Sequence, residues 1–313
     1  MRILVIGAGA IGGYFGGRLL QANRDVTFLV RERRAAQLKE TGLVIRSAAA
    51  GDLHVSQPPT LLARDLREPF DLILLSCKAY DLDRAVESFA PAVGPGTAIL
   101  PLLNGFAHIE VLQSRFGDRA VLGGLCAISV TLDPMGHILH LNDMHSLAFG
   151  ERNGGRSDRI QAIETQLAGA RFESRLSSNI VHAMWEKWTF IAAAAGITCL
   201  MRASVGDIVA AGGKELPLRL YDECARIAAE AGHPPAPPSR QESDRILTAA
   251  HSQFTASMLR DIEAGGQTEG DHVLGDLLRR SRSGAGATPL LELAFQHVSA
   301  YEARRRRERG ACL

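Results

Sequence analysis

The sequence predicts an α/β protein in two parts: a doubly wound, mainly parallel sheet over residues 1–176, then an all-α domain over residues 177–313. Three observations carry that division. An apolar run at the N-terminus leads straight into closely spaced glycines, short apolar runs then alternate with helical stretches, and the β-type runs stop near residue 175. Length agrees, because 313 residues correspond to two domains at about 150 residues each.

The elements follow in order. Ile3, Leu4, Val5 and Ile6 form an unbroken apolar run, as expected of a parallel strand buried on both faces. Gly9, Gly12, Gly13, Gly16 and Gly17 then punctuate a segment carrying Ile11, Tyr14, Phe15, Leu19 and Leu20, a helical spacing whose glycines permit close packing on the sheet. A second strand is expected at 26–30, at the distance of a βαβ crossover, with further strands at 72–75 and 98–103. Residues 43–57 read as an inserted hairpin. Strands at 121–128 and 137–149, the latter broken at Asn142-Asp143, are expected to finish the same sheet with an antiparallel extension. From Ser177 the pattern is helical. Ile180, Met184 and Ile191 share one face, 216–231 is amphipathic, and helices are expected over 246–262, 273–278 and 290–303. Pro234, Pro235, Pro237 and Pro238 mark a stiff connector, and residues 281–289 a glycine-rich link.

Composition excludes several classes. Thirty-five Lys plus Arg against 34 Asp plus Glu leave a net charge of +1, so no global electrostatic drive toward nucleic acid or an anionic membrane exists. The arginine run 304–307 is flanked by Glu302 and Glu308 and reads as a solvated helix end. Cys77, Cys126, Cys199, Cys224 and Cys312 are odd in number and widely spaced, which argues against a disulfide framework or a zinc cage. The first strand begins too early for a signal peptide, and the longest apolar runs, such as 190–200, are too short to cross a bilayer. A cytoplasmic protein is the expectation.

Gly7-Ala8-Gly9-Ala10-Ile11-Gly12 fits Gly-x-Gly-x-x-Gly between a strand and a helix, the Rossmann-type arrangement for a dinucleotide. Gly7 would make the tight turn, Gly9 would admit a pyrophosphate to the backbone, and the helix N-terminus would offer free N–H groups. The end of the second strand selects the dinucleotide. Arg31 stands where an acidic residue would favour NAD, with Arg33 and Arg34 beside it, so NADP(H) is favoured; Glu32 could neutralise part of the cluster.

Together, Gly7 to Gly12, Cys77-Lys78-Ala79, Leu103-Asn104-Gly105, Trp185-Glu186-Lys187 and Thr268-Glu269-Gly270-Asp271 resemble the ketopantoate reductase (2-dehydropantoate 2-reductase) family nearly end to end. The resemblance implies a Rossmann domain, a helical domain, and reduction of 2-dehydropantoate by NADPH on the route to pantothenate. It makes Lys187 the proton donor, Asn104 a contact to cofactor and substrate, and Lys78 a cation near the nicotinamide. Ser257 becomes a substrate ligand, Glu269 an anchor for cofactor or substrate hydroxyls, and Ser129 a backbone contact to the cofactor. The chemistry wants such groups, since hydride reaching a ketone carbon drives negative charge onto its oxygen. Lys187 falls on the margin of an apolar helical arc, where desolvation should favour proton release. Gly265-Gly266 should separate Ser257 from Glu269, with Thr268 as an N-cap and Asp271 at the third helical position.

The chain departs from the family where substrate is recognised. Asparagines expected four and eight residues after the lysine are Ile191 and Ala195, and a third is Val205. Loss of three amides should change which molecule is preferred, unless Thr198 or Ser204 compensates. Three readings stay open: ketopantoate reductase proper, a related reductase of another 2-oxo acid or ketone, and a non-catalytic NADPH-sensing protein. The ten histidines show no metal-binding spacing, and His137, His140 and His145 read as strand or turn surface. A small-molecule substrate is the expected partner, and the apolar helices of the second half leave room for a homodimer.

Overall fold

The computed structural model describes residues 1–284 and 286–310, leaving Cys312 and Ala285 of the glycine-rich link outside. Contacts divide the chain into one unit of Met1–Leu103 with His108–Val181 and another of Asn104–Ala107 with His182–Leu313. Along the first unit run β1 (Arg2–Ile6), α1 (Ala10–Gln21), β2 (Asp25–Leu29), α2 (Glu32–Thr41), β3 (Leu43–Ser47), β4 (Leu53–Val55) and β5 (Thr60–Leu61). β6 (Leu72–Leu75), α3 (Leu82–Phe89), β7 (Ala98–Pro101), α4 (Ala107–Phe116), β8 (Gly123–Leu132), β9 (Ile138–Gly150), α5 (Asp158–Leu167) and β10 (Glu173–Leu176) follow.

A parallel sheet in the order β5-β2-β1-β6-β7 forms the nucleotide-type core. Ile3, Leu4 and Val5 of its central strand are fully buried, which is why that run reads as unbroken. The expected antiparallel extension is instead a second sheet, β10-β9-β3-β4 with β8 on β9. The hairpin β3–β4 belongs to it, through parallel pairing of Ile45 with Ile138. Strand β9 runs through Asn142 and Asp143, but its ladder with β8 is interrupted there, stepping from the pair Ile128–His145 to the pair Val130–His140.

Helix α1 is the layer between the sheets, and its glycines explain how. A Cβ at Gly16 would lie 2.5 Å from the Phe28 ring of the first sheet, whereas one at Gly13 would lie 2.5 Å from Ile138 of the second. Gly12 and Gly17 repeat the two contacts against Val5 and Ile45 at 3.1 and 2.8 Å. Pairs of glycines four apart thus free two helix faces at once. His140 and His145 are half-buried beside the Tyr14 ring of α1, at 5.0 and 6.2 Å, and bond Ser47 of β3 (2.8 Å) and the Tyr14 hydroxyl (2.7 Å) respectively.

The second unit takes α6 (Ile180–Met201) from His182 onward, then α7 (Val205–Ala210), α8 (Glu215–Glu230), α9 (Pro237–Leu247) and α10 (Ser257–Glu263). A π-turn (Asp271–Gly275), α11 (Asp276–Arg279) and α12 (Pro289–Gly310) complete it. The second half of α6, residues 192–199, is buried on every side and forms the core of this unit. Its small residues admit neighbours closely, so that a Cβ at Gly196 would lie 2.9 Å from Leu220 of α8 and 3.3 Å from Ala294 of α12. Buried Glu223 caps the start of α12 by accepting from the N–H groups of Leu290 (3.2 Å) and Leu291 (2.8 Å).

Two expectations change here. Pro237 and Pro238 open a helix rather than continue a connector, since the first helical turn needs no N–H from them. The expected helix over 246–262 is two helices, because Ser252 and Phe254 turn their carbonyls to the N–H groups of Gly206 (2.9 Å) and Val205 (3.0 Å). Cys77, Cys126, Cys199 and Cys224 form no disulfide among the described residues. Burial pushes the Cys199 thiol up to about 12 and the Cys224 thiol upward as well, so neither is a nucleophile. Among the described residues no helix is long and apolar enough to cross a membrane, and no cluster could hold a metal ion.

Candidate active site

In the first unit the glycine turn is built as a phosphate cradle. Gly7 has φ +89° and donates its N–H to Leu29 at 2.9 Å, which closes the turn onto β2. Gly9 is the N-cap of α1, is exposed, and has open space where a Cβ would stand. Ala10, Ile11 and Gly12 follow as the first helical turn, whose N–H groups have no carbonyl within the helix. Gly12 seals the base, for a Cβ there would sit 2.2 Å from Ser76 Oγ and 2.3 Å from the Gly7 carbonyl. An open approach above and close packing below fit a dinucleotide pyrophosphate.

The arginines divide their work. Arg31, largely exposed, donates from Nη2 to Asp81 at 2.9 Å. Glu32 pairs with Arg64 and therefore does not neutralise Arg31. Arg33 is exposed and makes no ion pair among the described residues. Arg34 turns inward: its Nε donates to the Ala8 carbonyl (2.9 Å), its Nη1 to Gln37 (2.6 Å), and burial lowers its pKa. Asp81 and the inward Arg34 escaped the sequence reading. Asp81 ends the segment opened by Lys78, whose carbonyl accepts the Asp81 N–H at 2.9 Å; Lys78 itself is half-buried. Ser129 lies at the register shift between Ile128 and Val130, and its N–H is engaged by Asn142 Oδ1 at 3.3 Å.

In the second unit the structure joins two distant motifs. Half-buried Lys187 on α6 donates from Nζ to Asn104 Oδ1 at 3.0 Å. Neighbouring rings fix that part of α6: Phe106 stacks on Trp185 at 5.1 Å, His233 stacks on Trp185 at 5.6 Å, and Trp188 donates its indole N–H to the Val273 carbonyl at 2.9 Å. The Asn104 carbonyl in turn accepts from His272 Nε2 at 2.6 Å. His272 was not singled out from sequence, although it directly follows the Thr-Glu-Gly-Asp motif.

Ser257 opens α10 on the surface, and Glu269 is half-buried in the segment before the π-turn. The interruption at Gly265, φ +65°, separates them as expected. Thr268 Oγ1 accepts from the Gly270 N–H at 3.4 Å, but no reciprocal box forms, since the Thr268 N–H goes to Glu302 (2.6 Å) and Asp271 pairs with Arg279 (2.8 Å). Ala195 is 4% exposed and Val205 fully buried, so apolar packing occupies two of the three positions where amides were expected. Neither suggested replacement is available. The Thr198 hydroxyl bonds the Ala194 carbonyl at 2.7 Å, and Ser204 is spent in a capping box with Asp207.

Comparison with known proteins bears on the arrangement. A family model described as ketopantoate reductase PanE/ApbA matches residues 3–154, and one described as its C-terminal part matches residues 179–302. The chain is 41% identical over 304 residues to an uncharacterized oxidoreductase, YkpB, of Bacillus subtilis, covering 97% of this chain and 99% of that one. It is 27% identical over 283 residues to a 2-dehydropantoate 2-reductase of Archaeoglobus fulgidus, covering 89% and 90%. Among solved structures, a 2-dehydropantoate 2-reductase from Methylococcus capsulatus superposes with a TM-score of 0.85 at 29% identity, covering 97% and 98%.

Proposed function

Because this chain belongs to the ketopantoate reductase family, and is thus an NADP-dependent oxidoreductase acting on CH–OH groups, we propose that it reduces the ketone of a 2-oxo acid with NADPH. The first candidate is 2-dehydropantoate, reduced to pantoate in pantothenate biosynthesis, a reading supported by the relatives' names and the order of the five motifs. The observation that carries the reading is the bond from Lys187 Nζ to Asn104 Oδ1, which gives one polar centre from two separate motifs.

NADPH, when bound, supplies the hydride. Gly9 and the first-turn amides of α1 would hold its pyrophosphate, and the Arg31 and Arg33 guanidiniums would supply the positive charge for its adenosine phosphate. Lys187 provides the proton at Nζ. Asn104 takes one of the ammonium's N–H groups and fixes its direction, leaving the others for the carbonyl oxygen, where charge develops. By the family resemblance Lys78 would be a cation near the nicotinamide, Ser257 a substrate ligand and Glu269 an anchor for cofactor or substrate hydroxyls; a backbone contact from Ser129 would fall to its carbonyl, since its N–H is engaged by Asn142.

A second reading rests on a specific observation. Ile191, Ala195 and Val205 stand in place of amides worth about 1 kcal/mol each, so a less polar 2-oxo acid or ketone suits the chain. Initial rates with NADPH over a panel of 2-oxo acids separate the two. Ketopantoate turned over well above the rest establishes the first candidate; ketopantoate no faster than unrelated 2-oxo acids removes it in favour of the second. Absence of NADPH oxidation with every ketone would return the chain to a sensing role. The same reading sets the enzyme in the cytoplasm, and sedimentation distinguishes a monomer from a homodimer.

A further inference from the structure

The Asn104 turn is gripped by a ring of contacts that closes on itself. Lys187 Nζ bonds the Asn104 side chain at 3.0 Å, and the next residue, Trp188, bonds the Val273 carbonyl at 2.9 Å. Val273 is adjacent to His272, whose Nε2 returns to the Asn104 carbonyl at 2.6 Å. A carbonyl only accepts, so Nε2 carries the hydrogen. His272 also covers the turn: Gly105 has φ +76°, and a Cβ there would stand 3.1 Å from the His272 carbonyl and 3.2 Å from its ring.

We propose that His272 is a positioning residue for the reaction, acting through Asn104 to aim the Lys187 ammonium. The proposal rests on the reading of Lys187 as proton donor. An apolar ring in its place would fill the same volume yet leave the Asn104 carbonyl without its donor. The turn could then rotate, and the amide that orients Lys187 would move with it. Misplacement by an ångström is enough to slow chemistry on the order of 100-fold.

The test compares His272→Phe, which keeps a ring without a donor, with His272→Gln, whose amide nitrogen reaches about where Nε2 stands. The best substrate from the 2-oxo acid panel is used, with Lys187→Ala and Asn104→Ala alongside. The proposal expects kcat of His272→Phe to fall roughly 10- to 100-fold at an unchanged melting temperature. It expects His272→Gln to recover to within a few-fold of wild type, and Asn104→Ala/His272→Phe to be no slower than Asn104→Ala. Wild-type kcat in His272→Phe while Lys187→Ala is inactive would overturn the proposal and leave the Lys187 reading standing. Equal damage from Phe and Gln, or additive losses in the double variant, would also overturn it. Full turnover in Lys187→Ala would remove both.

Discussion

Two glycines of one motif should fail in different ways when each receives a single methyl group. In Gly12→Ala the new Cβ would lie 2.3 Å from the Gly7 carbonyl, about 1 Å inside an ordinary carbon–oxygen contact. Ser76 Oγ, at 2.2 Å, can rotate away, but the Gly7 carbonyl belongs to the positive-φ turn and cannot. Overpacking of this kind costs about 3 kcal/mol at the upper end of its usual range. The gain of Ala over Gly in a helix offsets about 1 kcal/mol. The net loss of about 2 kcal/mol should lower the melting temperature by roughly 4–8 °C for a domain of this size. Gly9→Ala meets nothing within 4 Å and has an ordinary φ of −78°, so its stability should change by less than about 1 kcal/mol. Its methyl group nevertheless occupies the approach of the pyrophosphate and should weaken NADPH at least about tenfold. Thermal melts and NADPH fluorescence titration read the two effects separately. Wild-type melting in Gly12→Ala together with wild-type NADPH binding in Gly9→Ala would show that neither glycine has the role assigned to it.

Asp81→Asn should raise the preference for NADPH over NADH several-fold, because it removes the carboxylate that competes with a phosphate for Arg31; Arg31→Asp should weaken NADPH far more than NADH, and kcat/KM for both cofactors measures each change. Ile191→Asn restores one amide beyond Lys187 and should shift kcat/KM toward ketopantoate about fivefold relative to less polar 2-oxo acids; an unchanged ratio would show that this position does not read the substrate. Burial first, then the neighbouring His140 and Arg18, lowers the pKa of His145 against smaller opposite effects of Glu173 and Asp143, so the folded protein holds it neutral. The unfolded chain therefore takes up the proton first: this contribution to stability is present above about pH 6.5 and is lost as pH falls toward the folded-state pKa. Thermal melts between about pH 7.5 and pH 5 should show that loss, and His145→Asn should flatten it.

The glycine turn and its flanking elements were legible because their pattern is local: a buried strand, a positive-φ glycine and a helix start need only neighbours in sequence. The second sheet was not, since β3 and β9 are joined by a pairing of Ile45 with Ile138 that no local pattern specifies. Asn142 and Asp143 do mark an irregularity: the β8 ladder steps from the pair Ile128–His145 to the pair Val130–His140 and leaves residues 141–144 without a β8 partner, while β9 continues on either side. Likewise the run from Ile246 to Ile262 has helical content throughout, yet the carbonyls of Ser252 and Phe254 are drawn to the first-turn amides of α7, which have no carbonyl partner within their own helix. At the candidate site, the motifs named Lys187 and Asn104 but not the bond between them. His272 stayed hidden because its partner is 168 residues away and its role depends on a backbone carbonyl. The fate of Ser204 was readable in principle, as Ser-x-x-Asp before an apolar run is a capping signature.

Replacement of Lys187 by alanine bears most directly on the chemistry. With saturating NADPH and the best 2-oxo acid, rapid-mixing absorbance at the nicotinamide band should show oxidation collapsing by on the order of 100-fold or more, while NADPH titrates the variant as it does the wild type. Oxidation at the wild-type rate would contradict the assignment of the proton to Lys187.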